Sequence, residues 1–594
     1  MFCKLGSMLN GAGAGGGERT ERYDVDYVVV GSGFGGSVSA LRLAEKGYSV
    51  LVLEQGRRRS DAELPKSTLD YKNYYWNPAI GMRGIFKLTP FKDAFVMTGA
   101  GVGGGSVVYA MTLYTPPDRF FQDPQWAGMD DWKARLAPHF ETAQRMLGVT
   151  DVRKDDRADQ WLREYGDEIG VGETYRKTRV GAYLDTPGKT VSDPYFGGEG
   201  PERTGCTQCG RCMVGCPIGA KNSTLKNYLW FAEKRGARIQ PDRTVVDVRP
   251  IDGSAGSTGW LVEHEATSWR TGKDRRTIRA RGVILSGGAL GSNTLLQRAR
   301  LNGSLPRISP VLGEKVRTNS ESILAVTVPD GQAAGLMNRV AITSSIYPDP
   351  DTHIETVVYG KAGDSMRPLL TLMVGDGTRV TRPLKLLAQL VRHPRRFAQL
   401  MFSKDWSSRT VIVLVMQSLD NALNLRAKRR RNGTVKLQTE QTGKRNPTYI
   451  AAGNAFARWL ADRTGGVAAG GIFESLANIP STAHFLGGAP IGASPDEGVL
   501  DASLGVYGYE NLKVVDGAAM PANVGVNPSL TITALAEHAM STIPPAPGRE
   551  ASAVEHMGVA PIAGQTARAE PLPLFVQTPE ANAAEVQVEA AEQA

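Results

Sequence analysis

DYVVVGSGFGGSVSALRLAEKGYSVLVLEQG, residues 26–56, reads as a buried strand, a glycine turn, an amphipathic helix stopped at Gly47 and a second strand, together one βαβ unit. Within it Gly31, Gly33 and Gly36 stand in the order G-x-G-x-x-G. The first allows the tight turn, the second lets backbone approach a pyrophosphate at the helix N-terminus, and the third lets helix and strand pack closely. Glu54, ending the second strand, is placed to accept hydrogen bonds from ribose hydroxyls. The glycines alone fit a turn in any α/β fold; strand, helix and acid together point to dinucleotide binding.

Outward from this unit lie three more signals. GAGVGGGS (99–106) precedes the strand-like VVYAMTLY, and its successive amides could cradle phosphate or a flavin edge, or form a turn without a ligand. RGVILSGGALGSNTLL (281–296) repeats strand, glycine turn and helix start. NLKVVDGAAMPANVGVNPSLTITALAEHAM (511–540) has a strand ending at Asp516-Gly517, then a helix with Pro528 at its first position and Asn527 as cap.

At 594 residues the chain has room for several lobes of roughly 150 residues each, which excludes a peptide-sized binding module. Its 41% hydrophobic and 22% charged residues are those of a soluble globular protein, with no apolar run long enough to span a bilayer. Glycine supplies 68 residues, above the usual share of ~7% and without collagen-like period, so the excess belongs in loops that approach a large cofactor. The net charge of +9 is modest for this length, and the basic run RAKRRRNG (426–433), ending in an Asn-Gly hairpin turn, has no aromatic or groove-reading partners beside it. No nucleic-acid partner is expected. Residues 1–22 lack the apolar core of a secretory signal and read as a flexible leader; residues 546–594, rich in Ala, Pro, Glu and Gln, read as a disordered tail. Four of five cysteines crowd into residues 206–216, unlike a secreted disulfide framework, so a reducing, cytoplasmic compartment is expected.

The four glycine-bearing segments, with GAKNSTLKNYL (219–229) read as a helix start, VAITSSIYPDPDTHIE (340–355) and HFLGGAPIG (484–492), together resemble the glucose-methanol-choline (GMC) flavoprotein oxidoreductases over most of residues 23–544, and within them the bacterial sterol oxidases. The resemblance implies an α/β fold: a Rossmann-like FAD-binding domain assembled discontinuously (main part 23–300, C-terminal part 505–545) and an α+β substrate domain (301–504) whose mostly antiparallel sheet, of about six strands, roofs the flavin. It implies FAD held by Gly31, Gly33, Gly36, Glu54, Gly99, Gly101, Gly104, Gly105, Ser106, Val245, Asp516, Gly517, Asn527 and Pro528. His484 and Asn527 would lie over the flavin and orient the alcohol. His484 alone, beside Phe485 and Leu486, would read as a satisfied core histidine. Glu355, with Glu321 as second choice, would carry a proton while a 5-ene shifts to the 4-ene; the plain reading of Glu355 is an exposed strand glutamate. Tyr109-Ala110 stands where the pattern has Asn-Gly, and Ser529 replaces an aromatic after Asn-Pro.

The implied reaction is oxidation of a sterol 3β-hydroxyl to the ketone with oxygen as acceptor. Its rivals are a dehydrogenase of another lipid alcohol with an unknown acceptor and a sterol-binding or electron-transfer flavoprotein that turns over no alcohol. Cys206, Cys209, Cys212 and Cys216 have bacterial ferredoxin spacing, C-x2-C-x2-C-x3-C-P. In ferredoxins the fourth such cysteine serves another cluster, and here only remote Cys3 remains, so a structural turn, as in GMC relatives, is favoured over iron-sulfur; the gaps suit tetrahedral zinc still less. PLKLLAQLVRHPRRFAQLMF (383–402) reads as two short basic helices parted at Pro394, with Leu386, Leu387, Leu390 and Val391 on one face and Lys385, Arg392, Arg395 and Arg396 elsewhere. Such a segment either lies on a membrane surface as a lid for a lipid substrate or packs on the core.

Overall fold

The computed structural model describes residues 23–549 except 254, 268–273 and 432–434. The leader, nearly all of the tail, Cys3 and the Asn432-Gly433 turn lie outside the described residues.

The sequence 26–56 forms the unit its pattern demands: strand Val25–Val30, helix Phe34–Glu45 and strand Val50–Leu53. The two strands pair in parallel, and Arg238–Gln240 extends the sheet beyond the second. On the other side Val25–Val30 pairs in parallel with the long strand Arg276–Leu285. That strand serves two neighbours. Its first half, Arg276–Ala280, pairs antiparallel with Trp260–His264, and its last residues, Val283–Leu285, pair in parallel with Leu512–Val514. Segments remote in sequence therefore meet on one seven-stranded sheet. Its parallel stretches Val28–Val30, Val50–Leu53 and Val283–Leu285 are continuous Val, Ile and Leu, the pattern of strands buried on both faces.

A second seven-stranded sheet runs Leu370–Leu372, Val467–Gly471, Ser322–Thr327, Thr410–Gln417, Thr352–Val357, Ile342–Asp349, Arg176–Lys177. Every pair in it is antiparallel. Apolar side chains from both of its faces enter separate core clusters, so Thr352–Val357 is buried along its whole length. Glu355 is accordingly a buried glutamate, and its reading as an exposed one is overturned. The strands Ala422–Arg429 and Val435–Thr442 pair as the expected hairpin, and their Leu423, Leu425 and Leu437 join the core of the dinucleotide lobe.

Three local expectations shift. The helix after GAKN begins only at Tyr228, because Lys221 and Asn222 spend their side chains on tertiary hydrogen bonds and the Asn227 side chain accepts from the Tyr228 N–H. The C-terminal helix is Ser529–Ser541, with Pro528 at its cap; Asn527 does not cap it, its amide being turned to Glu355. The basic segment does form two helices, Thr381–Arg392 and Pro394–Phe402, but its leucines do not share one face. Leu386 is buried and Leu390 half-buried against the core, whereas Leu387 and Val391 face outward. Neighbours in sequence stand about 100° apart on a helix, so this apolar set wraps two faces.

Candidate active site

One cavity of about 740 Å³ runs between the two sheets. It is lined by Gly31, Gly33, Glu54, Gly99, Gly104, Gly105, Val245, Asp516, Gly517, Asn527, Pro528 and His484. The tertiary fold thus brings most of the expected site residues together. Gly36, Gly101 and Ser106 stand behind its wall. A Cβ at Gly36 would collide with the Gly31 carbonyl, and the Ser106 hydroxyl donates to the Gly103 carbonyl at 2.6 Å and accepts from the Thr224 N–H.

Residues present at one end fit a dinucleotide. Gly31 has φ +97°, a left-handed conformation, and a Cβ there would collide with the Ser286 carbonyl. At Gly33 a Cβ would meet only Gly104 Cα, at 3.9 Å, so backbone is bared to the cavity where a pyrophosphate needs it. The Glu54 carboxylate accepts from the Ser32 N–H (3.0 Å), the Ser32 hydroxyl (2.7 Å) and the Gly56 N–H (2.9 Å). Burial raises its pKa against those bonds, and it lines the cavity at the end where ribose hydroxyls would need an acceptor. Burial likewise pushes Asp516 up to about 6, opposed by hydrogen bonds from Ser292 and the Ala518 N–H.

Other cofactor-side residues escaped sequence reasoning. Ser286, Gly287, Gly288 and Gly291 line the cavity, and the SGGALG turn that carries them was visible as a motif but yielded no site residue. Lys221 is another. Its Nζ donates to the carbonyls of Val107 (2.7 Å), Tyr109 (2.9 Å) and Cys212 (3.0 Å), tying the loop after the second glycine cluster to the cysteine turn. Burial pulls its pKa down to about 7. The departing residue Tyr109 lines the cavity, packs edge-on to Phe34 and donates to the Asn222 carbonyl at 2.8 Å.

At the chemical centre, His484 Nδ1 lies 3.1 Å from Glu321 Oε2, close enough for charge pairing though not aligned as a hydrogen bond. Glu321 Oε2 also accepts from the Thr482 hydroxyl (2.9 Å) and the Ala483 N–H (3.1 Å), which fixes it. Glu321 lines the cavity; Glu355 does not. Glu355 sits behind Asn527, whose Nδ2 donates to its Oε2 at 3.3 Å. Burial pushes Glu355 up to about 8, against the Asn527 bond and with Glu321 adding to the rise.

Among the described residues no group of three or more metal-ligating side chains could hold a metal ion. The four clustered cysteines are free thiols, with Cys212 inside an apolar cluster. Burial pushes Cys206 up to about 12 and Cys212 well above the usual range.

This fold and site define a flavin-dependent oxidoreductase acting on alcohols. The chain matches the GMC oxidoreductase family over residues 201–316 and 468–536 and an NAD(P)-binding Rossmann-like domain over residues 29–79. It is 48% identical over 533 residues to a cholesterol oxidase of Mycobacterium tuberculosis (strain ATCC 25618 / H37Rv), spanning 88% of this chain and 91% of that one. It is 45% identical over 527 residues to a cholesterol oxidase of Acinetobacter baumannii, spanning 88% and 95%. A pyridoxine 4-oxidase structure from Mesorbium loti shares the fold, with TM-score 0.56 at 16% identity over 87% of this chain and 99% of that one. The chain belongs to the GMC oxidoreductase family, and its cofactor is FAD. The second glycine cluster and the Asp516-Gly517 strand end, which a simple NAD domain lacks, line the same cavity as Gly31 and Gly33.

Proposed function

We propose that this enzyme oxidises the 3β-hydroxyl of a sterol of the cholesterol type to the ketone, with oxygen as acceptor, and moves the 5-ene to the 4-ene. The observation that carries this is the composition of the cavity: beyond the glycine-lined end its wall is apolar, with Phe95, Met366, Leu370, Ile412, Leu414 and Phe473, while His484 and Asn527 line the same space. A fused-ring alcohol needs that arrangement, a long apolar wall with a few polar groups. The relatives named cholesterol oxidases support it.

When bound, the flavin supplies a hydride acceptor that oxygen can reoxidise. His484 turns Nδ1 to Glu321, which leaves Nε2 to take the hydroxyl proton. The carboxylate stabilises the imidazolium as it forms. Asn527 orients the hydroxyl with the amide atom not given to Glu355. Glu355, whose pKa burial pushes up to about 8, would carry a proton between C4 and C6 of the steroid once the Asn527 side chain, which stands between it and the cavity, turns aside.

Anaerobic mixing of the purified holoenzyme with cholesterol tests the reading: flavin absorbance should bleach and recover rapidly when oxygen is admitted. Bleaching with slow recovery would make the enzyme a dehydrogenase, and no bleaching with any of several lipid alcohols would leave a binding flavoprotein. No helix among the described residues is long and apolar enough to cross a membrane. A cytoplasmic setting, with peripheral contact to the lipid surface that holds the sterol, completes the proposal.

A further inference from the structure

Of the eleven large apolar side chains that stand exposed among the described residues, five fall in one short segment: Val380, Leu384, Leu387, Val391 and Phe402. The first four follow a 4-3-4 spacing, which places Leu384, Leu387 and Val391 within about 60° of one another on the helix Thr381–Arg392, with Val380 at its cap in line with them. They form a stripe, not scattered contacts. The opposite side of the pair of helices is already satisfied: Leu386 and Leu400 are buried in the core, and buried Arg382 donates to the Thr448 carbonyl and Asn478 Oδ1. The outward stripe is therefore a second apolar face.

Within the segment the charge is of one sign, with exposed Asp376 and Asp405 only at its two ends. Residues 377–404 contain no Asp or Glu, while Lys385, Arg392, Arg395, Arg396 and Lys404 are exposed. A protein partner of mixed charge would leave such a flank uncompensated, and a neutral bilayer would not use it. An anionic lipid surface matches both features, since basic side chains attract the headgroups and the stripe enters the acyl boundary.

The location links this surface to the site. The two helices rest on strand Leu370–Leu372 and helix Ile472–Ala477, whose Leu370 and Phe473 form part of the apolar cavity wall. We propose that the helix pair 381–402 is a docking element that lays its Val380–Val391 stripe into an anionic bilayer and so presents the apolar end of the cavity to membrane-held sterol. This rests on the proposed sterol activity for its purpose, not for its geometry.

The test uses holoenzyme and two kinds of vesicle, phosphatidylcholine alone and phosphatidylcholine with phosphatidylserine, each with and without cholesterol. Co-sedimentation should favour the anionic vesicles by about tenfold or more and should weaken with salt. Leu384→Glu/Leu387→Glu, and separately Arg392→Glu/Arg395→Glu/Arg396→Glu, should each abolish that preference and slow turnover of vesicle-held cholesterol. Turnover of cholesterol in detergent micelles and flavin content should be unchanged in both. Micellar turnover reports the activity itself, so its absence in the wild type would refute the sterol reading without touching the docking one. Wild-type binding that ignores lipid charge, or variants that bind anionic vesicles like the wild type, would overturn the docking proposal. A wild-type dimer that Leu384→Glu/Leu387→Glu converts to monomer, with no vesicle binding by either, would overturn it in favour of an interface between two copies.

Discussion

His484 Nδ1 and Glu321 Oε2 stand 3.1 Å apart, and Glu321 is fully buried, held by the Thr482 hydroxyl and the Ala483 N–H. The histidine thus has a fixed carboxylate beside Nδ1 within the cavity wall. Glu321→Gln keeps the size of this group and removes its charge, so we expect kcat to fall by about ten- to a hundredfold with flavin still stoichiometric. The alkaline and acid limbs of the pH profile of kcat/KM should also move, which loss of packing alone would not cause. An unchanged profile and rate would remove Glu321 from the mechanism.

His484→Ala should lower kcat by about two to four powers of ten without loss of FAD, the usual range for a lost acid-base group. Asn527→Ala should act in the same direction and also leave the buried Glu355 without its hydrogen bond. Single-turnover flavin bleaching measures both. Near-normal bleaching rates in the His484 variant would defeat the assignment.

For Glu355→Gln, oxidation should survive and isomerisation fail, so the 5-en-3-one accumulates; unchanged 4-en-3-one output would reject this role. The same residue predicts a pH effect on stability. Its native pKa is raised from 4.5 to about 8, so its contribution is fully present below the unfolded value and is lost as pH rises through the native one. The stability of Glu355→Gln relative to wild type should therefore climb between about pH 4.5 and 8, as thermal melts across that range will show.

Gly33→Val should abolish FAD binding while leaving a folded protein. Its side chain would project into open cavity space, with no neighbour but Gly104 Cα at 3.9 Å, and so into the place of a pyrophosphate. A visible spectrum after reconstitution decides it.

Lys221→Met should loosen FAD, seen as a lower flavin-to-protein ratio, because three carbonyls of the flavin-side loop and the cysteine turn lose their shared donor. From anaerobically purified protein we expect no stoichiometric iron or acid-labile sulfide. Finding both near one cluster per chain, lost together in Cys209→Ser/Cys212→Ser, would refute a purely structural turn.

Much of the cofactor end was legible in the amino-acid sequence because its determinants are local. Gly31 and Gly33 bare backbone within a single βαβ unit, and the order of strand, turn and helix follows from spacing along some thirty residues. The same local logic located the two helices of residues 381–402 and the hairpin around 430. It misplaced the start of the helix at Tyr228 and the cap at Asn527, where side chains made tertiary bonds in preference to local ones.

What only the tertiary structure decided is which distant residues meet. Asn527 and Glu355 are 172 positions apart, and nothing in either neighbourhood encodes the other. Their contact depends on the burial of strand Thr352–Val357 within the antiparallel sheet and on the end of the last helix being brought against it. The choice between the two glutamates was equally invisible: Glu321 reads only as the second choice to Glu355, yet it lines the cavity beside His484 while Glu355 lies behind Asn527. Side chains alternate along a strand, so the face each presents is set by the register and packing of the sheet, and these are settled by the whole chain's burial.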